Sequence, residues 1–508
     1  MKPKPILPPL LAAATAACAA STATATACAA APDNPKSPIQ NPKSHNVLMI
    51  LCDDMGAMEP GCYGNITHNL TPNIDALART GVRFSTFFAT PVCTPSRVAL
   101  MTGKYGIHTG YLNMADQAGG KGRGYDLSKD EYTFGQMFHD AGYATAMAGK
   151  WQLSGRGETL IRDCGFDEYM AWIYKVNLAP GVKYQGGYFP PKTTKTSRYW
   201  HPGIMVNGKH IATTETDYGP DMYSAFIIDF IKREAAAGKP FFAYYPMALV
   251  HSPWCPTPDH PDVKVDSQEA FRANVEYADK IVGRLIATLE QAGVRDNTLV
   301  VFCGDNGTQL CGKLTVTEWG PRTPCIINLP GTVQQGKVSG AMVDIPDITA
   351  TLLDYANIHP RNAADLDGIS LMPLLTGKTN KTREFAVSYY GQYRIIRDAH
   401  WVLEGNKDES FGDLCYCADL RSGIGYKRIT DFTAPAAKAA RARFEKFIAD
   451  HAGTTNMTAE DKAWFTNFVT KNGQRLQQNL QKIYNNIPPE KTPNPPASGA
   501  PPDDDTED

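Results

Sequence analysis

Polar side chains follow several of the apolar, strand-like segments in this 508-residue sequence. Asp53 and Asp54 come directly after one such segment, and Asp305 and Asn306 come directly after another. Because parallel strands place their carboxyl ends at one edge of an open α/β sheet, these oxygen-bearing side chains are expected to meet there. Asp-Asp and Asp-Asn-Gly sequences also begin ordinary turns. Two such clusters at two strand ends nevertheless favour a site for a hard cation, Ca²⁺ or Mg²⁺, over one for zinc.

An anion site is predicted beside the cation site. Cys93 lies just before a helix predicted over 95–102, for which Thr94 is the expected N-cap, and Arg97 falls in the first helical turn. Free backbone N–H groups at a helix N-terminus attract an anion, and a guanidinium can donate two parallel hydrogen bonds to an oxyanion. Polar residues after two further strand-like segments are expected at the same edge: Lys150, Gln152 and His251.

The elements that position these residues alternate between strand and helix. The strands are predicted at 45–52, 143–149, 241–249, 298–304 and 325–331. The helices are predicted at 72–80 (with Thr71 as N-cap), 95–102, 131–141, 219–234, 268–292 and 345–356. This order predicts an α/β fold with a mostly parallel central sheet sandwiched by helices. From about residue 380 a β-hairpin at 394–405 and helices at 433–451 and 459–485 indicate a smaller α+β subdomain.

The two ends of the chain differ from this body. Residues 1–30 carry Lys2 and Lys4 ahead of an Ala-rich apolar stretch, which predicts a secretory signal peptide and an exported protein: periplasmic, cell-surface or secreted. Cys18 or Cys28 is the alternative, as a site for a lipid anchor. Residues 31–44 are predicted to be a linker, and 487–508 a disordered, Pro-rich and acidic tail. The main domain is therefore expected at 45–379 and the subdomain at 380–486.

Composition excludes two classes of protein. Lys and Arg number 50 against 52 Asp and Glu, so the net charge of −2 excludes a charge-driven nucleic-acid binder. Beyond the N-terminus, the longest apolar run is near 241–250, about half of the ~20 residues that a transmembrane helix requires. The ten cysteines beyond residue 30 show no disulfide framework in their spacing.

One string of residues is far more specific than its parts. The pattern Cys93-x-Pro-Ser-Arg97-x-x-Leu-x-Thr-Gly resembles the signature of type I sulfatases in the alkaline phosphatase superfamily. The resemblance runs from about Asn46 to Leu403 and includes further motifs in order: Asp53-Asp54-x-Gly56, Thr71 to Ala78, Gly149-Lys150-Trp151, His251-x-Pro253, Asp305-Asn306-Gly307 and Lys313. It implies an alkaline-phosphatase-like fold and hydrolysis of sulfate esters.

The resemblance also implies a modified residue and a metal. Cys93 would be oxidised to formylglycine by a separate maturation enzyme, and one hydroxyl of the hydrated aldehyde would attack sulfur. The second hydroxyl would then expel sulfate and restore the aldehyde. The resemblance assigns Ca²⁺, with Mg²⁺ as the alternative, to five ligands: Asp53, Asp54, Cys93, Asp305 and Asn306.

The remaining roles follow from charge and from position in the motif. The resemblance implies that Arg97, Lys150 and Lys313 orient the sulfate group and compensate its charge. It places His251 near the leaving oxygen, as the general acid.

One position departs from the family pattern. Gln152 stands where the family usually has His, and its amide can hydrogen-bond a formylglycine hydroxyl but cannot take a proton. This departure leaves the rate of turnover open, but not the type of reaction. His108, one helix beyond Cys93, is a further candidate for contact with the substrate.

Export points to a sulfated carbohydrate, such as a glycosaminoglycan or mucin-type chain, as the substrate. The runner-up is a formylglycine-dependent hydrolase of phosphonate or phosphate esters. A catalytically weak sulfoglycan-binding protein is the non-enzymatic alternative, in which Cys93 would stay a thiol. Two-zinc phosphatases of the same superfamily are disfavoured by the Cys93 signature and by Asn306, where those enzymes often have His.

Overall fold

The predicted strands and helices of the main domain occur in the predicted order, with further short strands and helices between them that the sequence does not predict. The computed structural model describes residues 45–64, 70–113, 127, 130–153, 160–173, 196–309, 312–405, 410–413, 427–428, 433–450, 463, 466–467 and 470–471. Its strands are β1 (Asn46–Cys52), β2 (Val82–Phe84), β3 (Phe87–Phe88), β4 (Ala144–Lys150), β5 (Glu168–Trp172), β6 (Ile204–Val206), β7 (Lys209–Ile211), β8 (Phe241–Pro246), β9 (Thr298–Gly304), β10 (Cys325–Asn328), β11 (Lys337–Ser339), β12 (Val343–Asp344), β13 (Ala386–Tyr390), β14 (Tyr393–Arg397), β15 (Trp401–Gly405), β16 (Ser410–Asp413) and β17 (Lys427–Arg428).

The α-helices connect these strands. They are α1 (Pro72–Arg79), α2 (Cys93–Thr102), α3 (Gly106–Thr109), α4 (Phe134–Asp140), α5 (Leu160–Asp163), α6 (Gly219–Ala236), α7 (Gln268–Gln291), α8 (Ile345–Ala356), α9 (Met372–Leu375) and α10 (Pro435–Asp450). Within the described part of the chain, no helix combines the length and the apolar composition needed to span a bilayer.

Ten strands form the central sheet, in the order β11-β2-β10-β9-β1-β8-β4-β5-β6-β7. The five strands in its middle, from β9 to β5, all run parallel. On one side β10 is antiparallel to β9, and on the other side β6 is antiparallel to β5. The predicted mostly parallel sheet is confirmed, and the carboxyl ends of β1, β4, β8 and β9 lie along one edge.

The continuous apolar sequence of β1 reflects burial on both faces of the sheet. Val47, Met49 and Leu51 join one hydrophobic core, and the alternate residues Leu48 and Ile50 join the other. Helices α2, α4 and α8 pack against the first face, and α1, α6 and α7 pack against the second. A strand in this position has no polar face, which explains why its sequence shows a run rather than an alternation.

A five-stranded antiparallel sheet, β13 to β17, forms a small C-terminal subdomain. The predicted hairpin at 394–405 is confirmed as the pair β14 and β15, and the predicted helix at 433–451 is α10. Helix α10 packs on the sheet through Ala440 and Phe444, which lie in one apolar cluster with Phe385 and Leu403. The predictions for 1–30, 31–44 and 487–508 lie outside the described residues, and so does nearly all of the helix predicted at 459–485.

Thr71 is the N-cap residue of α1, as predicted, but a distant side chain accepts the hydrogen bonds of the free N–H groups in the first turn. The Asp279 side chain, from α7, accepts hydrogen bonds from Ile74 N at 2.8 Å and from Asn73 N and Nδ2 at 3.2 and 2.6 Å. Thr71 instead accepts from Gly61 N. The predicted position of the N-cap is confirmed, whereas the capping hydrogen bonds come from a tertiary carboxylate rather than from the Thr71 side chain.

Replacing Asp279 with Ala should therefore destabilise the protein. The change leaves buried donors of α1 without an acceptor, and we expect a loss of about 2–3 kcal/mol in the free energy of unfolding. Urea unfolding followed by fluorescence measures it. The exposed Asp229 on α6 provides a matched control, because Asp229→Ala should change stability by less than about 0.5 kcal/mol. Equal effects of the two substitutions would contradict the capping role.

Candidate functional site

Strands β1 and β9 bring the predicted oxygen ligands together. Cys52 pairs with Gly304 in the parallel register, so the residues that follow leave the sheet side by side. Asp54 N donates to Asp305 Oδ1 at 3.0 Å. Asp53, Asp54 and Asp305 are all at most 1% exposed. Three carboxyl groups are thus buried at one edge of the sheet.

Basic side chains neutralise these carboxylates. Lys150 Nζ lies 2.7 Å from both carboxylate oxygens of Asp53. Lys313 Nζ lies 2.6 and 2.7 Å from the two oxygens of Asp54. Arg97 Nη2 lies 2.6 Å from Asp305 Oδ2 and 3.4 Å from Asp53 Oδ1. Each predicted cation therefore contacts a predicted metal ligand.

Lys150 reaches Asp53 because β4 and β8 approach each other closely just before it. Gly149 has a φ of +121°, and a Cβ at that position would lie 2.0 Å from the carbonyl oxygen of Pro246. Only glycine fits that backbone position. Close packing of β4 against β8 therefore explains why the Gly149-Lys150-Trp151 motif begins with glycine.

Charge around the carboxyl groups shifts their pKa values in opposite directions. Burial alone would raise the pKa of Asp53, but Lys150 and Arg97 outweigh it and lower the pKa to about 2. Burial and the nearby charge of Asp53 raise the pKa of Asp305. A cation held between the two carboxyl groups would relieve this repulsion.

The donor set fits a hard cation. Asn306 Nδ2 donates to Asp54 Oδ1 at 2.8 Å, whereas Asn306 Oδ1 is buried with no hydrogen-bond partner. Ligand atoms of Asp53, Asp305 and Cys93 lie within 4.8 Å of one another. A buried amide oxygen without a partner, next to three carboxyl groups, suits Ca²⁺ or Mg²⁺.

Cys93 is the first residue of α2, and the N-cap is Val92. The prediction that the helix begins at 95 with Thr94 as its cap was wrong by two residues. The loop before the helix is closed instead by Ser96 Oγ, which accepts from Thr90 N at 2.9 Å and donates to the carbonyl oxygen of Asp305 at 2.5 Å. Ser96 thereby fixes the first turn of α2 against the end of β9.

Arg97 joins three strand ends through one buried guanidinium. Besides its bond to Asp305, Arg97 Nη1 donates to the carbonyl oxygen of Lys150 at 2.9 Å. Arg97 is 1% exposed. Such a fixed, desolvated guanidinium is suited to binding an oxyanion with little reorganisation.

His251 lies beside Asp54. Its Nδ1 lies 2.5 Å from the carbonyl oxygen of Ser252, and its Nε2 lies 3.6 Å from Asp54 Oδ2. The Ser252 carbonyl can only accept, so Nδ1 carries a proton and Nε2 faces the site. Burial and the charges of Arg198 and Lys313 lower the pKa of His251 well below its usual value.

Gln152 and His108, the two remaining predicted residues, do not contact the buried carboxylates in the bonds that the structure shows. Gln152 follows the end of β4 with a φ of +59°, and its Oε1 is buried without a hydrogen-bond partner. His108, in α3, pairs instead with Asp367 at 2.7 Å and is 44% exposed. The structure thus leaves a free acceptor on Gln152 and gives His108 a carboxylate partner.

Arg198 is a further residue at the site, and no sequence pattern predicts it. Its Nη1 lies 3.3 Å from Asp53 Oδ2, and its side chain is 2% exposed. Next to it, Tyr199 OH donates to the carbonyl oxygens of Ala248 and His251 at 3.0 and 2.5 Å. Arg198 belongs to no motif and follows no predicted strand.

The C-terminal sheet holds the loop that carries Lys313. Leu314 N donates to the carbonyl oxygen of Pro91, which ties this loop to the segment before α2. Further along the loop, Glu318 N donates to Glu404 Oε1 of β15 at 2.9 Å. The Glu318 carboxylate also forms a buried ion pair with Arg397 of β14.

Comparison with known families gives the class of the protein. The Sulfatase family profile matches residues 45–358, and the profile described as N-sulphoglucosamine sulphohydrolase, C-terminal, matches residues 310–418. The first match covers more than half of the chain. The chain belongs to the sulfatase family, enzymes that hydrolyse sulfate esters.

Individual relatives agree with this assignment. An N-acetylgalactosamine-6-sulfatase of Sus scrofa is 30% identical over 406 residues, which are 73% of this chain and 74% of the relative. The solved structure of Ps i-CgsB in complex with k-i-k-neocarrahexaose has a TM-score of 0.68 at 22% identity, covering 85% of this chain and 99% of the other. A structure in complex with its substrate D-glucosamine-2-N,6-O-disulfate has a TM-score of 0.64 at 21% identity, covering 81% and 98%. These two structures share the fold.

Calcium should stabilise the wild-type protein more than a variant that lacks the free amide oxygen. Because ligand binding to the folded state raises the melting temperature, we expect a shift that grows with Ca²⁺ concentration. Asn306→Ala should weaken apparent Ca²⁺ affinity by about tenfold or more. Differential scanning fluorimetry with and without Ca²⁺ measures this, and Asp229→Ala is the control. An equal Ca²⁺ response in wild type and Asn306→Ala would contradict the ligand role.

Proposed function

We propose that this protein is an exported sulfatase acting on a sulfated carbohydrate through a formylglycine at position 93 and a bound Ca²⁺. The observation that carries the proposal is the position of Cys93. It opens the first turn of α2, with its Sγ within 4.8 Å of carboxylate oxygens of Asp53 and Asp305. A nucleophile derived from this side chain would therefore lie beside the residues proposed to bind the cation and the oxyanion.

The residues that would hold Ca²⁺ are Asp53, Asp54, Asp305 and Asn306, together with the modified Cys93. When bound, the metal supplies Lewis acidity that polarises a sulfate oxygen and favours deprotonation of the attacking hydroxyl. Two observations support this assignment: the four side chains offer oxygen ligands, and Asn306 Oδ1 has no hydrogen-bond partner. Magnesium is the alternative among hard cations.

A formylglycine at position 93 would supply, in its hydrated form, one hydroxyl to attack sulfur and a second to release sulfate afterwards. A maturation enzyme that oxidises Cys93 is required for this chemistry. Gln152 has a free acceptor oxygen that can receive a hydrogen bond from a hydroxyl at this position. Because an amide cannot take a proton, a group other than Gln152 must accept the proton of the second hydroxyl when sulfate is released.

Three basic residues are proposed to bind and orient the sulfate group. Arg97, Lys150 and Lys313 are each at most 6% exposed. Burial strengthens their interaction with an anion relative to that in water. Fixed positive charge aimed at the transferring group stabilises the transition state without reorganisation. These side chains need only exchange part of their contact with the carboxylates for contact with substrate.

His251 is proposed as the general acid for the leaving alcohol. Its Nδ1 is committed to Ser252, so the proton that it gives must come from Nε2. In the absence of substrate, burial and neighbouring cations disfavour the imidazolium. A bound sulfate ester opposes those cations, which raises the pKa of His251 toward the range where it can donate.

A carbohydrate substrate is supported by the names of the relatives. One relative is an N-acetylgalactosamine-6-sulfatase, and one structure was solved with a sulfated glucosamine as its substrate. Export is supported by the residue pattern of 1–30, and a lipid anchor at Cys18 or Cys28 is compatible with it. His108, at 44% exposure near the protein surface, is retained as a candidate substrate contact.

The modification is tested by a mass spectrum of the tryptic peptide that contains Cys93, from protein made in its native host. Conversion of the thiol to the aldehyde lowers the peptide mass by about 18 Da. We expect the modified form and, in Cys93→Ala, no hydrolysis of aryl sulfates. A fully unmodified thiol in native protein would contradict the mechanism and favour the sulfoglycan-binding alternative.

The type of ester is tested on the same matured protein. Matched aryl sulfates and aryl phosphonates with the same phenol should differ in kcat/KM in favour of the sulfate. A preference for the phosphonate would instead support the alternative of a phosphonate or phosphate ester hydrolase.

The role of His251 is tested with aryl sulfates whose phenols differ in acidity. A general acid matters most for poor leaving groups, so His251→Gln should lose about 10²- to 10⁴-fold in kcat/KM with the least acidic phenol. The loss should be small with the most acidic one, which gives a steeper dependence on leaving-group pKa. His260→Gln, which alters an exposed His paired with Glu276, is the control. A uniform loss across the series would assign His251 to binding.

A further inference from the structure

Arg198 is held rigidly beside the proposed sulfate site. The parallel register of β4 and β5 pairs Lys150 with Trp172. The Arg198 guanidinium lies over the Trp172 ring, 4.3 Å from its centroid. Trp172 Nε1 in turn donates to Thr196 Oγ1 at 3.0 Å, which fixes the segment that leads to Arg198. An arginine stacked on a buried aromatic ring keeps its charge and its donor geometry.

The contact of Arg198 with Asp53 adds little to that carboxylate. Lys150 already contacts both oxygens of Asp53 at 2.7 Å, whereas Arg198 Nη1 lies at 3.3 Å. Tyr199, the next residue, holds the carbonyl oxygen of His251. Arg198 therefore lies next to Asp53, and the residue that follows it in the chain contacts the backbone of the proposed general acid.

The number of positive charges at the site exceeds the number of negative charges. Three carboxyl groups form the centre of the site: Asp53, Asp54 and Asp305. Four fixed cations contact them among the described side chains: Arg97, Lys150, Arg198 and Lys313. The fourth cation makes the buried cluster net positive, and a bound Ca²⁺ would add to that excess. Buried charge of one sign is unfavourable unless an opposite charge completes it.

We propose that Arg198 binds the sulfate group of the substrate, as a fourth cationic contact beside Arg97, Lys150 and Lys313. This inference rests on the proposed function and names a specificity-determining residue within it. Arg198 donates hydrogen bonds to sulfate oxygens on the His251 side of the site. That contact selects a tetrahedral oxyanion over a neutral ester.

Binding of inorganic sulfate by the full chain tests this without any turnover. Protein with unmodified Cys93 is titrated with sodium sulfate in saturating Ca²⁺ by isothermal calorimetry. Arg198→Gln should weaken sulfate binding by about 10- to 100-fold, because a charge-assisted pair of hydrogen bonds is lost. The sulfate affinity of Arg198→Lys should fall between those of wild type and Arg198→Gln, since an ammonium keeps the charge but not the paired donors.

Arg284 provides the matched control. It also pairs with an aspartate, Asp221 at 2.6 Å, and it also lies over an aromatic ring, that of Tyr277 at 5.8 Å. Arg284→Gln should therefore leave sulfate affinity unchanged. The Ca²⁺-induced rise in melting temperature should be the same in Arg198→Gln as in wild type, which shows that Asp53 is still in place.

Three results would overturn the proposal. They are wild-type sulfate affinity in Arg198→Gln, loss of the Ca²⁺ response together with sulfate binding, and absence of sulfate binding by the wild type. The first would leave Arg198 a packing residue, and the second would make it a positioning residue for Asp53.

The matured enzyme separates this inference from the proposed function. If matured Arg198→Gln hydrolyses aryl sulfates with wild-type kcat/KM, the inference fails and the proposed function stands. If the matured wild type hydrolyses no sulfate ester but Arg198→Gln still loses sulfate binding, the inference stands and the proposed function fails.

Discussion

The structure depends on burying three carboxyl groups at the ends of two adjacent parallel strands. Asp53 and Asp54 leave β1, and Asp305 leaves β9, all at most 1% exposed. Isolated carboxylates in such surroundings would be strongly unfavourable. Basic side chains from four separate segments compensate the negative charge, and distant parts of the chain therefore converge at this edge. Packing on both faces of the sheet excludes water and makes each of these ion pairs strong.

Much of this site could be predicted because its residues follow strands. A continuous apolar run identifies a strand buried on both faces, and the residue after it must lie at the sheet edge. Asp53, Lys150, His251 and Asp305 are predicted in this way, and the structure brings them together, although Lys150 is the last residue of β4 and His251 lies five residues beyond the end of β8. A cation site next to an anion site can therefore be predicted from residue types and strand ends alone, without the conformation of the loops between them.

What the sequence did not predict depends on contacts between distant residues. Thr71 occupies the predicted N-cap position of α1, but Asp279 of α7 provides the acceptor in place of its side chain, and no local pattern indicates that. The start of α2 was misplaced because Ser96, inside the helix, closes the preceding loop. Arg198 was missed for a related reason, since its place is set by stacking on Trp172. In each case tertiary packing outweighs local preference.

The support of the Lys313 loop by the C-terminal sheet has an evolutionary consequence. Glu318 in that loop is held by Arg397 and Glu404 from two neighbouring strands of a different sheet. A residue proposed to act on the substrate is thus kept in place by a sheet that lies outside the central sheet. The two regions cannot be exchanged independently between relatives, because a recombinant would join a loop to a sheet that does not match it. Divergence at this interface is therefore expected to proceed by paired changes.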